Sequence, residues 1–271
     1  MSWTMARKAL WDLRWPAFWY ALGLALYIAL LMAFYPTIRD IGAEFEALVR
    51  NYPEPFLRAF GIDPAKEGLL TSFAGFMHAE VFSFVWPLVA TIFVVLSGAA
   101  VVAQEVERGT AELWLAVPAT RVQLLSGKLL ALLIDTLGVV LVSLLTMVAL
   151  APLVDADLSA RGVLLLGVVL LDFLLAVAGL SVLSSSLFSD RGKAAALTAG
   201  LLLAMYLAWV ITGISERFEW LRYLSIFTAY RPREALEGSG VSWPGLLALL
   251  VIGLGSALAS LAIFRRRDIL V

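Results

Sequence analysis

The chain has 271 residues, of which 62% are hydrophobic and 15% charged, with a net charge of −1. Soluble domains average about 45–50% apolar and about 25% charged, so an ordinary globular fold is excluded. The near-zero net charge brings no basic domain for nucleic acid, and the absence of cysteine removes disulfides, thiolate metal sites and cysteine nucleophiles.

The apolar residues sit in six blocks: Ala17–Tyr35, Val81–Ala103, Leu129–Leu150, Val163–Phe188, Ala194–Ile214 and Pro244–Phe264. Each is close to the roughly 20 residues a helix needs to cross a hydrocarbon core. The blocks are apolar all round, unlike amphipathic surface helices or the short alternating strands of a membrane barrel. An all-α, multi-pass membrane protein of one transmembrane domain over 1–271 follows, since helices satisfy their own backbone in lipid. The expected crossings are 17–35, 81–103, 124–150, 163–188, 194–214 and 244–264, and no discontinuous helix or inverted repeat is visible.

In chain order, residues 1–16 place Trp3, Ala6, Leu10 and Leu13 at helical spacing among Arg7, Lys8 and Arg14, which predicts a helix on the membrane surface. The first apolar run ends Phe34-Tyr35-Pro36 with no small-residue cleavage site, so it reads as a retained helix rather than a signal peptide. Pro36–Glu80 follows as an outer loop with a helical apolar face of Ile41, Phe45, Leu48 and Val49. His78, the only histidine, makes a histidine-based metal site improbable.

Residues 104–121 link the second and third crossings. Gly109 permits a turn, and Thr110 is placed to cap a helix whose apolar face is Leu113, Trp114 and Val117. Pro118 ends it. Thr120 and Gln123 form a capping-box pattern at the start of the third crossing.

The third and fourth blocks carry Asp135 and Asp172, and an intramembrane carboxylate is a functional hypothesis by default. Asp135 shares a helical face with Gly138, Val142 and Thr146, and Asp172 with Ala176, Gly179 and Ser186. Both therefore face protein or a watery path, about 12 Å apart in depth and unpaired. Either a substrate pathway or a packing role fits them. Ser184–Ser186 have no base for hydrolase chemistry.

The 215–243 segment is rich in aromatics (Phe218, Trp220, Tyr223, Phe227, Tyr230), which predicts a short interfacial or re-entrant helix. The sixth block carries Gly253, Gly255, Ser256, Ala259 and Ser260, a stripe that permits close helix approach within the chain or between copies.

Of the 20 Lys and Arg residues, eleven fall on the side of both termini, crowded at helix ends, and nine on the other, in longer loops. The positive-inside rule then puts both termini in the cytoplasm.

The run Glu105, Gly109, Thr110, Glu112, Leu113, Pro118, Arg121 and Lys128, with the ending Phe264-Arg265-Arg266-Arg267-Asp268-Ile269, resembles the type-2 ABC transporter permease family. The resemblance implies an exporter half in the cell (inner) membrane whose 104–121 segment couples to a separate ABC ATPase. Glu105, Glu107, Arg108, Gly109, Thr110, Glu112, Leu113, Trp114, Pro118 and Arg121 are its coupling candidates. It also implies a second copy or a similar permease, beside membrane lipids, and no nucleic acid. The chain itself is not expected to be an enzyme and has no phosphate loop, because Gly127-Lys128 is followed by Leu129 and Gly192-Lys193 by Ala194. ATP and magnesium are thus expected in the partner, with no cofactor or metal in this chain. The rival reading is a secondary transporter using Asp135 or Asp172 as an ion or proton site.

Overall fold

The computed structural model describes residues 2–49, 51–53, 57, 71–109, 120–214 and 216–266. The described residues are helical and turn structure with no strand. In chain order the helices are α1 (Ser2–Val49), α2 (Phe73–Met77), which runs into a π-turn at His78–Phe82, α3 (Val85–Ala99) and α4 (Ala103–Glu107). Then come α5 (Arg121–Leu150), α6 (Ala160–Leu187), α7 (Arg191–Ile214), α8 (Pro232–Leu236) and α9 (Trp243–Arg266). Five of them are long and apolar enough to cross a membrane, and a sixth crossing forms if the bent pair Phe73–Phe82 and Val85–Ala99 counts as one. The chain is therefore a multi-pass membrane protein.

Two elements differ from the sequence reading. The helix expected over 1–16 and the crossing expected over 17–35 form one helix of 48 residues, which also absorbs the start of the outer loop. At 1.5 Å per residue it spans about 70 Å, over twice the hydrocarbon thickness. Pro16 and Pro36 lie inside it. Each removes one N–H and leaves the rest of the ladder intact, so neither ends the helix.

The second crossing, expected as continuous over 81–103, instead begins within the expected loop at Phe73 and is bent by 43° between Phe73–Phe82 and Val85–Ala99. Pro87 cannot donate to Ser83, and Phe84 leaves the helical region (φ −139°, ψ −59°). The π-turn before it keeps Ser83 bonded to His78 O at 2.8 Å. A second break separates Ala99 from Ala103. The sequence reading saw no discontinuous helix because its apolar pattern runs unbroken through both sites.

The third crossing begins as expected. Thr120 accepts from the Gln123 N–H and its own N–H donates to Gln123 Oε1, completing the capping box.

α6 is the hub of the bundle and packs against α3, α5, α7, α8 and α9. Half of its most apolar window is buried, against 17–33% in the other four long spans. Its closest neighbour is α9. A Cβ added at Gly179 would lie 2.3 Å from Gly253 O, and one added at Gly253 would lie 2.8 Å from Leu175 O. Ser186 and Ser260 hydrogen-bond across the same seam. The small-residue stripe of the last crossing is thus spent, at Gly253 and Ser260, on a contact within the chain.

Gly253→Val is expected to destabilise the protein by at least about 1–3 kcal/mol, because partner backbone cannot yield as a side chain can. Gly255→Ala meets nothing within 4 Å and is expected to be neutral. Thermal unfolding of the detergent-solubilised variants checks both, and a Gly253→Val midpoint equal to that of Gly255→Ala would contradict the packing.

Candidate functional site

At one end of the bundle α3 gives way to α4, α5 and α7 begin, and α9 ends. α4 closes at Glu107 and the chain turns through Gly109, whose φ of +67° is left-handed and favours glycine. The break before α4 is completed by side chains from other helices. Lys128 of α5 donates through Nζ to Val101 O at 2.9 Å and to Glu105 Oε1 at 2.8 Å. Ser185 of α6 is fully buried. Its Oγ accepts from the N–H groups of Val102 and Ala103, both at 2.9 Å, and donates to Ala99 O at 2.7 Å.

The neighbouring helix starts and ends are tied in as well. Glu107 Oε2 accepts from the Arg191 N–H at 2.9 Å, and the Arg191 guanidinium donates to Leu96 O at 3.3 Å. Arg121 Nη1 donates to Phe264 O at 3.4 Å. Lys8 and Asp12 of α1 lie within electrostatic reach of Lys128. The segments that the charge count assigned to one side therefore meet at one end.

Of the coupling candidates, Glu105, Glu107, Arg108, Gly109 and Arg121 lie at this end. Thr110, Glu112, Leu113, Trp114 and Pro118 lie outside the described residues. Within the chain one oxygen of Glu105 accepts from Lys128 Nζ and one oxygen of Glu107 accepts from the Arg191 N–H. Ser185 and Arg191 were missed as members of the site. The signal was a polar Ser184-Ser185-Ser186 run inside an apolar helix.

Asp135 and Asp172 are placed on α5 and α6, and the Oδ2 of each is buried with no hydrogen-bond partner among the described residues. They form no ion pair there, and neither lines the cavity described next.

That cavity is an apolar groove of about 490 Å³ between α3 and α7. Phe84, Pro87 and Thr91 line one wall, Leu202 and Tyr206 the other, and Phe227 joins them. Phe227 belongs to an aromatic cluster, 5.4 Å from Tyr206 and 5.3 Å from Phe173 between ring centres. Tyr230 packs on Phe173 at 4.7 Å and donates its hydroxyl to Phe82 O at 2.9 Å. The aromatic 216–236 segment thus folds onto the bend of the second crossing as 3₁₀ turns (Glu216–Leu224, Ile226–Thr228) and the short α8.

This architecture is that of a polytopic membrane protein with a polar linkage at one end and an apolar groove in its flank. A profile described as ABC-2 family transporter protein matches residues 8–269, and the chain belongs to that family. It is accordingly a membrane permease of an ABC-type system. No curated protein gives a significant match to it.

Tyr230→Phe leaves the Phe82 carbonyl without its donor and is expected to cost about 1–3 kcal/mol. Tyr223→Phe, at a side 77% exposed, is expected to be neutral. Chemical unfolding of the two variants separates a load on the bend from a general effect of losing a phenol.

Proposed function

We propose that this permease is the membrane half of an ATP-driven exporter, working as a pair with a second copy or a similar chain. Its 104–121 segment docks a cytoplasmic ABC ATPase, and ATP and magnesium are bound by that partner. Both termini face the cytoplasm of the cell (inner) membrane. The observation that carries this reading is mechanical. The 104–121 segment follows α3, one wall of the groove, across the short break at 100–102, and Glu107 near its start holds the first residue of α7, the other wall. A push delivered there reaches both walls at once. The groove's apolar lining suits an amphiphilic substrate with a hydrocarbon portion.

A second reading keeps Asp135 or Asp172 as an ion or proton site in a gradient-driven transporter. The bent second crossing favours it, since broken helices are where such carriers bind ions. ATP dependence separates the two. If ATP with the ATPase is dispensable, and Asp135→Asn or Asp172→Asn stops gradient-driven transport, the second reading stands.

The orientation has its own test, and the cysteine-free chain makes it clean. In intact cells an impermeant thiol reagent is expected to label Ser239→Cys and leave Ala111→Cys unlabelled. The reverse pattern would invert the topology.

The docking surface is tested by Trp114→Ala. A buried tryptophan anchor typically carries about 2 kcal/mol or more, so ATPase capture is expected to weaken at least about tenfold. Capture and transport equal to the wild type would remove this segment from the docking surface.

A further inference from the structure

Between α3 and α4 the backbone leaves its helical ladder while still packed among other helices. Val101, Val102 and Ala103 are all buried. Buried backbone groups without partners cost free energy comparable to a lost hydrogen bond. Four of those groups are taken by two side chains. Lys128 takes Val101 O, and Ser185 takes Ala99 O and the N–H groups of Val102 and Ala103. Lys128 also holds Glu105, one turn into α4, with both side chains largely covered (14% and 23% exposed). The broken stretch is thus clamped from two sides, by α5 and by α6.

We infer that Lys128 and Ser185 are positioning residues that make this break a fixed elbow, so that movement of the 104–121 segment is passed to α5 and α6 as a rigid displacement. The inference rests on the reading that an ATPase docks on that segment. A linkage of this kind needs stiffness where force enters. A chain free to rotate at 100–102 would absorb the stroke as backbone torsion before any crossing helix moved. The Lys128–Glu105 pair is suited to fixing geometry more than to adding stability, because desolvating two charges offsets much of their attraction. Ser185 does the same without charge, saturating one hydroxyl with three backbone groups. Gly98 completes the joint. Its missing side chain lets Ser181 come close enough to donate to Val95 O at 2.8 Å, and a Cβ there would meet Ser181 at 2.7 Å. α3 is therefore tied to α6 on both turns leading into the elbow.

The test uses the permease assembled with its ATPase in proteoliposomes, reading ATPase capture, ATP turnover and substrate moved per ATP. Ser185→Ala and Lys128→Met are near-isosteric and remove the clamps singly. Both are expected to capture the ATPase and hydrolyse ATP as the wild type does, while substrate moved per ATP falls about tenfold, the scale of one lost buried hydrogen-bond set. Lys128→Arg keeps the charge and the donors and is expected to stay near the wild type. An unchanged ratio in Ser185→Ala and Lys128→Met would overturn the inference. Should these variants lose stability with an unchanged ratio, the residues hold the fold only, and the inference is equally lost.

A measurement that leaves the elbow intact guards against misfolded variants. Spin labels on Gln104→Cys in α4 and Val122→Cys in α5 report the distance across the joint. The same distribution is expected in the nucleotide-free and ATP-trapped complexes, and a shifted or second population would show a hinge. Absence of ATP-driven transport by the wild-type complex would instead sink the docking reading itself, and the inference with it.

Discussion

A peptide group inside hydrocarbon has no water to bond, so wherever a crossing helix breaks, something else must complete it. That constraint accounts for much of what is irregular in this chain. The second crossing breaks twice. At the bend the Tyr230 hydroxyl reaches Phe82 O, and a π-turn carries the ladder as far as Ser83. At the elbow Lys128 and Ser185 take four backbone groups. The partners come from α5, α6 and the aromatic 216–236 segment, so each break is completed by a residue from another element.

The sequence showed the six apolar blocks because apolar length is a local property, and most of their ends fell within a few residues of the helices. It showed the Thr120–Gln123 capping box and the Gly109 turn for the same reason, since each is settled within three or four residues. It did not show the bend. Pro87 was visible, but whether a proline kinks or is absorbed depends on its surroundings, and here Tyr230, which bonds the Phe82 carbonyl beside the bend, lies 148 positions from Phe82. Pro16 and Pro36 make the opposite case, lying inside α1 without ending it. The groove was illegible because its walls come from 83–96 and 195–206 and no periodicity joins them. The Glu105–Lys128 pairing was half legible. Both residues stood in the family pattern, but the spacing of 23 gives no hint that they meet.

The charges at the base change meaning once they are placed. Acidic residues on a cytoplasmic loop read as a face for a basic partner. Here Glu105 holds a lysine of α5 and Glu107 holds the start of α7. Both carboxylates thus serve the packing of the chain's own helices at this end.

The groove's two walls are held with unequal firmness. α3 is bound to α6 by Ser181 and Ser185 and to α5 by Trp86, which donates to Ser143 at 3.0 Å while itself fully buried. It forms a unit with the core. α7 buries only Ala194, Thr198 and Leu202, and the Thr198 hydroxyl bonds its own helix. Its polar ties to α3 and α4 lie at its first residue, Arg191, to Glu107 and Leu96. Beyond that point α7 meets α3 through apolar contact, with alanines at 195, 196 and 199 facing the groove. Apolar contact is non-directional and costs little to slide or part in lipid, whereas the hydrogen bonds of α3 would have to be broken one by one. α7 is therefore the less firmly held wall of the groove, tied to α3 and α4 among the described residues by hydrogen bonds only at its first residue.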